Sequence, residues 1–133
     1  MLTMVPLLII PFILFNLGLT GVLGSAADPF DTQIFSVGMM SGGIWTMTVG
    51  DLLVAVALLL LFVEIVKSTR SNNASIVDHL LSTFVFVAYI VEFLLVKGAA
   101  HHVFFTLMMI TLVDVLAGFS VSIRSAGRDV NLS

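Results

Sequence analysis

The chain has 133 residues, of which 59% are hydrophobic and 10% charged, with a formal net charge of −3 and no cysteine. Soluble domains carry about 45 to 50% apolar and about 25% charged residues, so this composition and a mean hydropathy of +1.20 exclude a soluble globular fold and predict an integral membrane protein. Disulfides and thiolate chemistry are excluded, and five scattered basic residues form no patch for nucleic acid.

The first apolar run, residues 2–23, contains Pro6, Pro11, Asn16 and the glycines Gly18, Gly21 and Gly24. It predicts a kinked transmembrane helix, because neighbouring helices can satisfy carbonyls that proline frees. Glycines at every third residue open a groove for helix packing, or else merely loosen the helix end. Ser25 and Ala27 offer small residues at signal-cleavage spacing, but no Lys or Arg precedes the run and it exceeds the usual signal length. Retention as a span is the expectation.

Residues 25–43 form the one long connection. Asp28-Pro29 has the form of a helix N-cap followed by proline at the first helical position, and Phe30, Ile34, Phe35 and Val37 supply an apolar side. A short interfacial helix ending near Gly38 is expected, with Trp45 at the headgroup level.

The second span is expected over 44–66, with Asp51 about two turns inside and Glu64 at its far end beside Lys67. The third is expected over 76–96, opened by a Ser75-to-Asp78 capping box and containing Tyr89 and Glu92. The fourth is expected over 101–123, carrying Thr111, Asp114 and Gly118 on one face. The expected fold is therefore all-α: a single transmembrane domain, residues 1–133, of four helices. Lys67, Arg70, Arg124 and Arg128 lie on one side and Lys97 on the other, so both termini are expected in the cytoplasm. Two glycosylation sequons, Asn73-Ala74-Ser75 and Asn131-Leu132-Ser133, fall on that same side and read as accidental.

Asp51, Glu92 and Asp114 fall within the expected spans with no Lys or Arg at comparable depth. A carboxylate near the bilayer centre costs about 2.5 to 3.5 kcal/mol on insertion scales, so these acids require a proton, water, a cation or a partner from another chain. Thr111 and Asp114 can pin the bundle by interhelical hydrogen bonds, with Gly118 allowing close approach. Asp51 and Glu92, in the same outer half, are candidates for sharing a proton or a cation. Glu92 can instead meet a snorkelling Lys97. Glu64, Lys67, Arg70, Asp78, His79, Arg124 and Arg128 are expected to form a solvated cytoplasmic rim, a place where a soluble protein could dock. Adjacent His101 and His102 cannot face the same way on a helix, and no metal site, cofactor or catalytic motif is identified.

Glu64 and Lys67 ending the second span, 75–81 opening the third and Glu92 to Lys97 closing it give a layout that resembles small uncharacterised bacterial inner-membrane proteins of four helices. It is also loosely similar in plan to phosphate-starvation-inducible membrane proteins. The resemblance covers Gly50 to Arg124, rests on layout, and implies a bacterial inner membrane without assigning functional residues. The function expected is a structural or accessory membrane subunit that packs against itself or a larger complex. The alternative is a small proton- or cation-coupled transporter or channel, acting as an oligomer with the intramembrane carboxylates along the path.

Overall fold

The computed structural model describes the backbone of residues 5–21, 28–69 and 73–132; after residue 72, side chains are described from 77 to 120. Four α-helices occur in this part of the chain: α1 (Ile9–Leu19), α2 (Val49–Ser68), α3 (Asn73–Leu95) and α4 (His102–Leu132). Three of them, α2, α3 and α4, contain stretches long and apolar enough to cross a membrane. The bundle is thus mostly helical, as the composition requires, but α1 has only 11 residues.

Its short length has a local cause. Pro6 precedes α1 and Pro11 occupies its first turn, where a missing N–H costs no intrahelical bond. The expected span from residue 2 is thereby reduced to a helix starting at Ile9, and no proline remains in its interior to produce the expected kink. Gly21, at φ +89°, lies just past the helix in the left-handed region. Gly18 is buried on α1, whereas Gly24 lies outside the described residues.

The expected interfacial helix between the first two spans is replaced by a β-hairpin. Only a single 3-10 turn forms at Pro29–Asp31, capped by the Asp28 carboxylate, which accepts from the Phe30 N–H at 3.1 Å. Beyond it, β1 (Gln33–Gly38) pairs antiparallel with β2 (Ile44–Thr48). Ile34, Phe35, Val37, Ile44 and Trp45 are β-branched or aromatic, and Gly42 adopts φ +91° in the reversal, a conformation that stops any helix. The second span consequently begins at Val49 and not at Ile44.

The α2 start is a capping box: the Thr48 hydroxyl accepts from the Asp51 N–H, and the Asp51 carboxylate accepts from the Thr48 N–H, both at 3.2 Å. Helix α3 starts at Asn73, ahead of the expected Ser75 cap, and α4 runs past Ile123 to Leu132. A turn at Lys97–Ala99 joins them.

Helix α4 is the central element. The membrane-length stretch of α4 is 44% buried, against 22% in α2 and 17% in α3, and it packs against both. Helix α1 lies across the same core, its start beside Glu64 and Lys67 near the end of α2, and its Leu19 against Gly98 in the α3–α4 turn.

The interior has two layers of different chemistry. Toward the hairpin end, Phe15 stacks on Phe30 with ring centroids 4.3 Å apart, and Phe104 joins Phe15 and Tyr89. The Tyr89 hydroxyl donates to the Leu8 carbonyl at 3.1 Å, so the one buried phenol has a partner. Toward the opposite end the core is polar.

Candidate polar site within the helix bundle

The polar layer is built from residues that lie far apart in sequence and meet because α2, α3 and α4 are antiparallel neighbours in turn. Glu64 on α2 is 1% exposed and its Oε1 accepts from the Leu7 backbone N–H at 2.7 Å. Leu7 belongs to the turn that opens α1, so the carboxylate meets one of the N–H groups that a helix start cannot satisfy internally. Lys67, one turn along α2, donates from Nζ to Glu64 Oε1 at 3.0 Å, to Asp78 Oδ1 on α3 at 3.2 Å and to the Val5 carbonyl at 2.8 Å. One ammonium therefore ties α2, α3 and the segment preceding α1.

Asp78 and Glu64 are brought near each other by the one ammonium they share. Asp114 on α4 is 6% exposed, lies beside Ser82 of α3 and sits in the field of Glu64, Asp78 and Lys67. Thr111, buried one turn earlier, satisfies itself by donating to the Met108 carbonyl at 2.6 Å. Three carboxyls, a lysine and a serine thus converge inside one protomer.

This geometry revises the expected placements. Glu64 and Asp78 are not a solvated rim but the buried centre of the cluster, because the Lys67 stem folds back along the bundle to reach both. Asp114 does have a cationic group near its depth, supplied by the same chain. Asp51 lies in the exposed first turn of α2, occupied with capping, since β2 displaces the helix start by five residues from the expected one. It is therefore not two turns inside a span and does not pair with Glu92.

Glu92 on α3 sits by Asn16 of α1 and keeps one carboxyl oxygen buried without a hydrogen-bond partner, while Lys97 is exposed. Asn16 meanwhile donates to the Phe12 carbonyl at 2.8 Å. His79 is half-buried, its ring edge-on to Phe119 and directly against Gly118, so close approach of α3 and α4 at this point depends on the missing side chain. Arg70 lies outside the described residues, as do the side chains of Arg124 and Arg128.

At the hairpin end, His101 Nε2 lies 2.9 Å from Asp28 Oδ2, and its ring packs against Phe15 and Phe30. That hydrogen bond holds the Asp28 carboxyl below its ordinary value. The two adjacent histidines do share a direction: His101 precedes α4, so its ring can turn and stack on His102 with centroids 4.4 Å apart. Among the described residues, no group of three or more His, Asp or Glu side chains is arranged so that it could hold a metal ion, the carboxyls around Lys67 included.

The interior pair most easily missed in the sequence is Lys67 with Asp78, 11 residues apart across a short polar connection. The available signal was the antiparallel turn itself, which returns the start of α3 to the end of α2.

Among the described residues, two apolar grooves open on the bundle surface. One of about 390 Å³ runs between α1 and α3, lined by residues including Pro6, Phe12, Leu81 and Phe84. The other, of about 150 Å³, lies where Leu14 and Phe30 meet α2 at Val49 to Val56.

The chain matches no family model, no curated protein and no solved structure.

Proposed function

We propose that the chain is a non-enzymatic accessory subunit of a bacterial inner membrane, a small four-span bundle that packs against copies of itself or a larger membrane complex. The observation that carries this reading is the inward closure of the polar groups. Glu64, Lys67, Asp78, Ser82 and Asp114 gather within a protomer, whereas two grooves on the described surface are apolar. Polar residues used in this way lock helices together, and the apolar groove between α1 and α3 suits a helix of a neighbouring subunit. A fourth crossing is supported by α1 reaching from Glu64 and Lys67 at one end of the bundle to Gly98 at the other. With four crossings, the basic residues around Lys67 and after Ile123 support a cytoplasmic side for both termini.

The test is photo-crosslinking in the host membrane. A crosslinker at Phe84, in the groove, is expected to capture another membrane chain, while one at Leu59, on the exposed side of α2, captures lipid. A protein that runs as a monomer after gentle solubilisation and yields no adduct from Phe84 would remove the basis for a subunit role.

A second reading is favoured by three carboxyls, Glu64, Asp78 and Asp114, gathered around Lys67 among the described residues. On it, the cluster takes up protons or a cation, and an oligomer supplies the path that four helices alone do not enclose. Proton flux into proteoliposomes decides between the two. Flux that is absent, or present but unaltered by Asp114→Asn, counts against transport.

A further inference from the structure

The β1–β2 hairpin is apolar on the outside and carries no charge. No Asp, Glu, Lys, Arg or His occurs from Thr32 to Gly50. In the register that pairs Phe35 with Met47 and Val37 with Trp45, these four side chains share one face, and the Phe35 and Trp45 rings meet edge-on at 5.5 Å. Met40 at the tip is fully exposed and Ile44, on the other face, is 76% exposed.

Two physical limits bracket where such a hairpin can sit. A two-stranded sheet leaves the outer N–H and C=O groups of both strands unpaired, and these cannot enter the hydrocarbon core, where each costs several kcal/mol. Bulk water is equally unsuitable for an uncharged ribbon bearing Phe35, Trp45, Met40 and Ile44 in the open. The headgroup–acyl boundary satisfies both, because it offers hydrogen-bonding groups at the edges and apolar contact at the faces.

The connection to α2 fixes the hairpin at that depth. β2 passes into α2 between Thr48 and Val49 with no intervening residue, and the Val49 N–H donates to the Thr32 carbonyl at 2.9 Å, which ties the hairpin base to the first turn of the helix. Leu52, in the first turns of α2, is an exposed apolar side chain at the same end of the helix as the hairpin. A protein partner fits less well. Phe35, Val37 and Trp45 are each little more than 40% exposed, so even aromatic side chains of about 150 to 250 Å² offer on the order of 100 Å² apiece, well short of the roughly 800 Å² a stable partner covers. Met40 at the tip and Ile44 on the opposite face do not extend that surface.

We propose that the hairpin is a membrane-interface anchor that lies in the phospholipid headgroup–acyl boundary at the non-cytoplasmic end of the bundle, with its Phe35–Trp45 face toward the acyl chains. This rests on α2 crossing a bilayer. Since the chain lacks cysteine and has one tryptophan, the full-length protein in phospholipid vesicles can be tested with single spin labels at Met40→Cys, Phe35→Cys, Ser36→Cys and Leu59→Cys. With an apolar face about 5 to 10 Å into the boundary, collision with an aqueous nickel complex at Met40 and Phe35 is expected to fall on the order of tenfold below that at Ser36. Unmodified Trp45 is expected to be quenched by lipids brominated high on the acyl chain more than by those brominated near its end. Equal aqueous access at Met40, Phe35 and Ser36 with Leu59 still in lipid overturns the anchor alone. Aqueous access at Leu59 as well overturns the spanning reading. Spin–spin broadening at Met40 that disappears on dilution with unlabelled protein overturns lipid in favour of a second copy.

Discussion

Replacing Lys67 with methionine removes one ammonium and keeps a flexible apolar stem of similar reach, so the loss includes the three described contacts of its Nζ. Those are Glu64 at 3.0 Å, Asp78 at 3.2 Å and the Val5 carbonyl at 2.8 Å, and the lysine side chain is 11% exposed. Interhelical hydrogen bonds in bilayers contribute about 0.6 kcal/mol on average and up to about 1.7, which gives roughly 1 to 3 kcal/mol for the two that leave α2, to Asp78 and Val5. Breaking a buried ion pair by removing one partner costs about 3 to 5 kcal/mol in protein interiors, because the other charge stays buried. The two ranges overlap near 3 kcal/mol, on the order of a hundredfold in the unfolding equilibrium. Far-ultraviolet circular dichroism during titration of the micellar protein with sodium dodecyl sulfate reads this directly. Asp78→Asn completes a double-mutant cycle, and a coupling of at least about 1 kcal/mol is expected for groups in contact. A Lys67→Met cost below about 0.5 kcal/mol, or strict additivity with Asp78→Asn, would refute the view that this ammonium clasps α2 to α3.

Two other perturbations follow from the geometry. A Cβ at Gly118 falls on the His79 ring, 2.7 Å from Cε1, so Gly118→Ala is expected to force α3 and α4 apart at a cost of about 1 to 3 kcal/mol, and His79→Ala is expected to recover most of it. The same denaturant titration checks both, and an unchanged midpoint for Gly118→Ala would contradict the close approach. Asp28 has its folded-state value lowered from 3.8, first by the hydrogen bond from His101, so its contribution to stability is present above pH 3.8 and is lost as pH falls through the lowered value. Thermal melts from pH 6 downward are expected to show this loss only on the acid limb, and to show it reduced in Asp28→Asn.

Much of the helical plan was legible from local information. The apolar stretches of α2, α3 and α4, and the starts of α3 and α4 to within a few residues, follow from hydropathy alone, since a chain with so few charges has little else to arrange. The segment around Phe35 was misread because Asp28-Pro29 does cap a turn, but a single one. Strand pairing with residues 44–48 is a non-local interaction that no helical pattern in 28–38 reveals. Asp51 followed from the same error: once Ile44–Thr48 is a strand, the acid moves from the expected interior of a span to the first turn of a helix, where Thr48 completes its capping box.

By itself, the order of residues determined that this chain must bury its surface in something other than water, and where the long apolar helices run. Which carboxyls are neighbours was decided only by tertiary structure. Glu64, Lys67, Asp78 and Asp114 lie up to 50 positions apart and meet because antiparallel packing returns each helix end beside the last, while a long lysine stem lets the charge sit away from its backbone. Hydropathy records how deep a backbone position lies. It holds no record of the direction a flexible side chain takes or of the group it meets there, and those two quantities set the electrostatics of this interior.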